Sequence, residues 1–364
     1  MKRVLLMPFL HIPTGHHHVA DTIINELQDF PCQTKKIDIF SYRSNVLESI
    51  STFIYLKWIQ SFPKSYSFVY RRMACRKTEN RKNYKLYEMF YLQAMKDIIE
   101  HHAPHIVFCT HALPSYMLNK MKHQYPSMKI VNVYTDYFVN EIWGIHKIDF
   151  HLAPCMEVKK DLISLGVQEE KIYVTGIPIH RTYFHKSVSS PSFYHRVLIM
   201  GGTLGVGNIK KFIQHLKPKG RIKYFVLCGR NQALYKYIHN LHNPYITPLP
   251  FIREKSAMND LYTSVSAVIT KPGGVTISEC IEKRVPIFVF DTLPGQEEIN
   301  FQKLKKEGIV VPLTNWNMID VENELLKFLN NEMVLKQYQE KLNEFQSSRS
   351  HNLKDFLDMV MNGC

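Results

Sequence analysis

A chain of 364 residues with 45% hydrophobic content is long enough for about two domains, each with its own core, so the chain is globular. A formal net charge of +14 calls for an anionic partner: nucleic acid, an anionic membrane surface or a nucleotide substrate. The 7 cysteines are scattered with no Cys-x-x-Cys pair, which excludes a disulfide framework and a structural zinc site and suits a reducing cytoplasm.

The apolar start at residues 4–10 predicts a first buried strand, too short to span a bilayer and followed by no cleavage-site pattern. Residues 11–18 then read as a loop, and residues 19–27 as a helix with Val19, Ile23, Ile24 and Leu27 on one face. Strand, glycine loop and helix open a doubly wound domain. Further short apolar strands are expected at 37–40, 106–109, 130–133 and 172–174, with helix-length stretches between them, so a parallel sheet is expected. A polar stretch with Ser189-Ser190-Pro191 reads as a linker. A second series follows at 197–200, 224–227, 267–270, 287–290 and 309–311. The expected organisation is α/β throughout: a first Rossmann-like domain at 1–180, a linker at 181–195, a second at 196–345, and a helical tail at 346–364 that packs back on the domains.

Residues 53–85 interrupt this pattern. Phe53, Tyr55, Trp58, Phe62, Tyr66, Phe68 and Tyr70 are interleaved with Arg71, Arg72 and seven more Lys or Arg, against one acid, Glu79. Rings beside basic side chains suit a membrane interface, where each Lys or Arg near an anionic leaflet contributes about 1 kcal/mol. They would also suit single-stranded nucleic acid, or a core helix with a solvated face. No nucleic-acid module surrounds the segment, so an anionic membrane surface is the expected partner and nucleic acid is not.

Among the sites of possible chemistry, the stretch Thr270-Lys271-Pro272-Gly273-Gly274-Val275-Thr276-Ile277-Ser278-Glu279 is the richest. A buried strand is halted by Pro272, two glycines turn the backbone with no Cβ in a ligand's way, and a helix resumes at Thr276. The first amides of such a helix lack internal partners and lie at the positive end of its dipole, so phosphate oxygens suit the gap before them. Glu279, one turn in, tilts back toward that opening and can accept from ribose hydroxyls. An ordinary strand-turn-helix connection is the alternative. Gly201-Gly202-Thr203-Leu204-Gly205 and Gly229-Arg230-Asn231 follow two other strands, so three loops converge on one crevice. Leu293-Pro294-Gly295-Gln296-Glu297-Glu298 follows a fourth and can hold sugar hydroxyls. His16 follows a glycine at the end of the first strand, where a neutral imidazole can take a proton from an attacking hydroxyl; a structural, hydrogen-bonded histidine is the alternative. His17 and His18 leave the choice of base open. Consecutive side chains share no helix face, no Glu or Cys lies at ligand spacing, and no Asp-x-Asp pair occurs, so no metal site is expected.

Taken together, the Lys271 to Glu279 motif, Pro294-Gly295-Gln296-Glu297, Gly15-His16, Thr135-Asp136-Tyr137 with Trp143, and Thr175-Gly176-Ile177-Pro178 resemble the diacylglycerol glycosyltransferases. These comprise processive bacterial diacylglycerol glucosyltransferases and plant monogalactosyldiacylglycerol synthases, and are more distantly similar to the transferase that adds GlcNAc to a lipid-linked peptidoglycan precursor. The resemblance implies a GT-B architecture, two Rossmann-like domains facing across a cleft, with the nucleotide-sugar on the second and the lipid acceptor on the first. It implies an inverting, metal-independent transfer with no cofactor beyond the co-substrate, UDP-glucose or UDP-galactose. Gly202, Gly273, Gly274, Val275 and Thr276 would lie along the donor, the last four around its diphosphate, with Glu279 on the ribose. Phe251 and Ile252 would border the uracil, with Arg230 and Asn231 in the same pocket. Gln296 and Glu297 would hold the sugar, and His16 would be the base. Asp136, Tyr137 and Trp143 would lie on the acceptor side, with Trp58, Arg71 and Arg72 at the membrane. Pro13, Asn140 and Arg284 depart from the family pattern. The expected enzyme moves a hexose from a UDP-sugar to a lipid hydroxyl, diacylglycerol foremost, as a peripheral protein on the cytoplasmic face of the cell membrane. A polyisoprenoid or soluble acceptor, a UDP-sugar 2-epimerase and a nucleotide-sugar-binding protein are the alternatives.

Overall fold

A computed structural model describes residues 1–9, 15–39, 85–184, 195–201 and 208–363 of the chain. It divides into two compact units, residues 1–178 with 348–364, and residues 179–347. In the first unit the elements run β1 (Lys2–Met7), α1 (Gly15–Leu27), β2 (Cys32–Lys36), α2 (Lys85–His102), β3 (Ile106–Cys109), α3 (Ala112–Met121), β4 (Lys129–Val133), β5 (Phe150–Ala153), α4 (Met156–Ser164) and β6 (Ile172–Val174). Their strands form a parallel sheet in the order β2-β1-β3-β4-β5-β6. Covered on both faces by helices, the central strands need side chains that are apolar at every position, which is why Val4 to Met7 and Ile106 to Cys109 read as unbroken buried runs.

The second unit runs β7 (His195–Met200), α5 (Ile209–His215), β8 (Ile222–Leu227), α6 (Gln232–His239), β9 (Ile246–Leu249), α7 (Lys255–Ser264), β10 (Ala267–Thr270), α8 (Gly274–Glu282), β11 (Ile287–Val289), α9 (Gln296–Lys306), β12 (Val311–Pro312), α10 (Val321–Leu329) and α11 (Glu332–Ser347). Its sheet is also parallel, in the order β12-β11-β10-β7-β8-β9. Val197 and Ile199 of β7, Val226 of β8 and Ile269 of β10 meet Phe212 and Leu325 in its core. Both units are therefore Rossmann-like. In each sheet the chain lays strands to one side of the first strand and then to the other, so the order reverses between β1 and β3 and between β7 and β10. A crevice opens at the carboxyl end of such a switch point.

Three strands differ from the sequence-based expectation. β2 lies at 32–36, not 37–40, because an edge strand is half exposed and carries no apolar run. β5 holds a buried histidine, His151, and β9 is an edge strand that tolerates Pro248, so neither has the apolar signature. The expected linker also differs at its start: residues 181–184 form a turn of 3-10 helix whose Tyr183 is buried against Tyr262. Residues 185–194 lie outside the described residues.

The tail is divided rather than separate. Residues 346 and 347 finish α11 in the second unit, and the chain then returns to the first as α12 (Leu353–Asn362). The reason is an open sheet edge. The His351 amide donates to the Val174 carbonyl at 3.3 Å, and the Val174 amide donates to the Ser350 hydroxyl at 3.4 Å, which covers the edge of β6. Gly176 beside it has φ +78°, a backbone conformation that favours glycine, and a Cβ there would stand 3.0 Å from Arg349 Nε. Phe356 packs edge-on against Phe150 at 5.6 Å and Tyr173 at 5.0 Å, and Lys2 Nζ donates to the Met361 carbonyl at 2.8 Å, at the negative end of α12. Phe356→Ala should therefore destabilise the fold by about 3–5 kcal/mol in urea unfolding. Amide exchange should accelerate in β5 and β6 and stay unchanged in β7 and β8.

Candidate active site

The loops at the carboxyl edge of the second sheet follow strand order. Phe251 and Ile252 follow β9, Arg230 and Asn231 follow β8, Lys271 to Gly273 follow β10, and Leu293 to Gly295 follow β11. Arg230 and Phe251 come together, the guanidinium carbon 5.4 Å from the ring centroid, with both side chains exposed. Asn231 caps α6, its side-chain oxygen accepting from the Leu234 amide at 2.9 Å.

α8 begins two residues earlier than expected, at Gly274, so Val275 and Thr276 lie in its first turn. Gly273 is its N-cap with no capping side chain, and the first intrahelical bond into the cap runs from the Ile277 amide to the Gly273 carbonyl at 3.0 Å. The amides of Gly274, Val275 and Thr276 precede that bond and form the helix's open donor end. The glycine pair does not serve a tight turn, as the sequence implied. Gly273 has φ −75°, ordinary for any residue, and a Cβ there would meet nothing within 4 Å. What the glycine leaves is open space before the helix, with the positive end of the dipole behind it.

Glu279 is buried, and its Oε2 accepts from the Tyr262 hydroxyl at 2.9 Å. Burial raises its pKa above the usual carboxylate value; the Lys255 charge and hydrogen bonds from Tyr262 and Tyr183 pull the other way. A carboxylate offers about four lone-pair positions, so two phenols leave acceptor capacity over.

Lys271, which the sequence motif contains without assigning it a role, and Asn300, which sequence reasoning missed, stitch the loops after β10 and β11 together. Lys271 is buried with its ammonium 3.7 Å from Glu297 Oε1, while Glu297 Oε2 accepts from the Leu293 amide at 2.6 Å. Asn300, fully buried, donates to the Pro272 carbonyl at 3.1 Å. Asn300 lies three residues beyond Glu297 on α9, hence on the same helix face, and that spacing was the available signal. Gln296 is the first residue of α9 and half-buried.

In the first unit, His16 to His18 are not in a loop but in the first turn of α1. His16 Nδ1 lies 2.7 Å from the Thr110 carbonyl and 2.9 Å from the Thr135 hydroxyl, and Thr110 returns a bond from its hydroxyl to the His16 carbonyl at 3.1 Å. A carbonyl only accepts, so the Nδ1 proton is fixed and Nε2 carries a free lone pair. Burial holds the imidazolium down, to about 4, against the Thr110 bond that raises it, so the ring is neutral at neutral pH. The anchors come from the ends of β3 and β4, the two strands that follow β1 on the same side of the switch point.

Of the residues expected on the acceptor side, Asp136 is half-buried, Tyr137 is buried, and Trp143 is buried with its ring 4.6 Å from Tyr134. The last two shape the loop from inside rather than offering a docking surface. Gly202, Trp58, Arg71 and Arg72 lie outside the described residues. Among the described residues, no three His, Cys, Asp or Glu side chains gather as a metal site, and no helix is long and apolar enough to cross a membrane.

The profile of the monogalactosyldiacylglycerol (MGDG) synthase family matches residues 16–179. An uncharacterized glycosyltransferase of Bacillus subtilis (strain 168), YkoN, is 45% identical over 364 residues, covering 99% of this chain and 98% of its own. The processive diacylglycerol beta-glucosyltransferase of Bacillus mycoides (strain KBAB4) is 28% identical across 91% of this chain and 86% of its own. Among solved structures, MurG from Acinetobacter baumannii is similar with a TM-score of 0.63 at 15% identity, covering 100% of this chain and 98% of that one. UDP-GlcNAc 2-epimerase from Neisseria meningitidis, bound to UDP-GlcNAc, gives 0.59 at 13% identity with 100% of both chains covered. At such identities the structural likeness establishes the fold, a GT-B architecture of two Rossmann-like domains.

The histidines set a pH dependence of stability. Burial also holds His111 well below 6.5, and holds His151, whose Nδ1 lies 2.9 Å from the Tyr134 hydroxyl, to about 3. Between pH 6.5 and about 4 the unfolded chain binds protons on these three groups that the folded chain refuses. Stability should therefore fall as pH falls through that window and be flat with respect to these groups above it. Urea midpoints measured from pH 8 to pH 4 check the sign.

Proposed function

This chain is a glycosyltransferase belonging to the diacylglycerol glycosyltransferase family, and we propose that it moves a hexose from UDP-glucose or UDP-galactose to the hydroxyl of diacylglycerol, with inversion and without a metal ion. The observation that carries this reading is the uncapped start of α8 at a switch point, with space where a Cβ would stand. Three amides held by the helix are already oriented toward an anion. As the bond from the anomeric carbon to the diphosphate oxygen breaks, negative charge grows on the leaving UDP, and preoriented donors stabilise it without reorganising. Glu279, held by two tyrosines, accepts from the ribose hydroxyls, Phe251 and Arg230 border the base, and Gln296 and Glu297 meet the sugar.

His16 Nε2 receives the proton of the acceptor hydroxyl as its oxygen attacks the anomeric carbon opposite the departing UDP; one displacement inverts that centre. An imidazole with its pKa near 4 is too weak to ionise a free alcohol. The proton therefore moves late, once bond formation has made the hydroxyl acidic. The basic, aromatic residues 53–85 dock the enzyme on the anionic cytoplasmic leaflet, where its acceptor lies.

Labelled UDP-glucose and UDP-galactose, each incubated with anionic vesicles with and without diacylglycerol, test this reading. Glycolipid formed only with diacylglycerol is the expected outcome; an epimerised nucleotide-sugar formed without lipid, or binding without turnover, would overturn it. His16→Ala should reduce transfer by about 10²–10⁴-fold with UDP affinity unchanged. Gly273→Ala should leave the unfolding midpoint equal or slightly higher, since φ −75° suits alanine, yet weaken UDP binding more than about tenfold because the new methyl group fills the ligand's space.

A further inference from the structure

A second histidine stands beside His16 with no part yet in the chemistry. His111 follows β3, across the switch point from β1, and is the N-cap of α3. Its Nδ1 accepts from the Leu113 amide at 3.1 Å. An N–H can only donate, so the neutral ring carries its proton on Nε2. Burial and the neighbouring His16 keep the ring neutral. Phe9 lies flat on it, centroids 4.1 Å apart and planes within 8°, which fixes the plane of the imidazole. The His16 ring meets it at 4.9 Å and 89°.

The two rings therefore have opposite tautomers. His16 carries its proton on Nδ1, held by Thr110, and presents a bare lone pair at Nε2. His111 accepts at Nδ1 and presents an N–H at Nε2. Both Nδ1 atoms are held by the fold, which leaves each Nε2 to meet a further partner. A proton acceptor and a proton donor side by side match the two faces of one hydroxyl group, which has a hydrogen to give and a lone pair to receive.

We propose that His111 is a second catalytic residue, whose Nε2–H donates to the oxygen of the acceptor hydroxyl while His16 Nε2 takes that hydroxyl's proton. This rests on the transfer reading above. The oxygen then uses one lone pair to accept from His111 and the other to form the bond to the anomeric carbon. The bond from that carbon to the diphosphate breaks with its electron pair leaving on UDP, and the hydroxyl proton ends on His16. His111 keeps its own proton throughout. Its contribution is orientation: it aims the second lone pair and holds the hydroxyl hydrogen on His16, which matters most for a weak base that acts late.

The competing role is the helix cap alone, and two substitutions separate them. His111→Asn places a side-chain oxygen near the old Nδ1 and keeps the cap while deleting the Nε2–H. His111→Gln places an amide N–H near the old Nε2 and loses the cap. With diacylglycerol vesicles and labelled UDP-sugar, His111→Asn should keep the native unfolding midpoint and UDP affinity yet lose roughly a hundredfold or more in transfer rate. His111→Gln should lower the midpoint and retain transfer within about tenfold. Transfer by His111→Asn within about twofold of native, or an equal loss in both variants, overturns the proposal. His16→Ala serves as the control for the reading beneath it. If that variant still transfers sugar, the base assignment fails; if it does not while His111→Asn does, only the role of His111 fails.

Discussion

The chemistry of this chain depends on one constraint of parallel sheets. Each strand must be reached by a crossover through a helix, so the strands grow outward from the first one, and where the direction of growth changes no connection covers the carboxyl edge. The first sheet has that gap between β1 and β3, the second between β7 and β10. Chemically distinctive groups lie beside each of them. His16, Thr110 and His111 sit at the first, and the uncapped start of α8 sits at the second.

The two switch points differ in their physics. At α8 the fold leaves donors without a capping side chain and open space before them. At His16 the fold instead satisfies one nitrogen completely, which leaves the other with a defined proton state. The Thr110 and Leu113 bonds assign opposite tautomers to neighbouring rings, and burial keeps both uncharged. The stability lost below pH 6.5 is the thermodynamic counterpart of that neutrality: the same burial that keeps an imidazole uncharged makes acid unfolding easier.

The loops are held from behind by interactions within the protein. Asn300 on the Pro272 carbonyl and Lys271 beside Glu297 tie the loop after β10 to the loop after β11. Tyr262 fixes Glu279, and α12 returns to cover β6 and its following loop, where Arg349 crowds Gly176. Such supports cost ordering entropy once, on folding, rather than at each encounter with ligand.

The sequence by itself determined the fold class, the two successive series of strands, the loop before α8 and its partner at Pro294 to Glu297. Those features are local: unbroken apolar runs mark strands buried on both faces, and Pro and Gly punctuate the turns after them. Only the tertiary structure decided the edge strand β2, the histidine-bearing β5, the division of the tail at residue 347, and the partners of His16. Thr110 and Thr135 lie 94 and 119 residues away from it, and nothing in their local sequence signals an imidazole. The Lys271 to Glu279 stretch was legible as an anion site, yet the reason for its glycines was not. Their backbone needs no special conformation, and only the arrangement around Gly273 reveals that the missing side chain leaves open space before the helix.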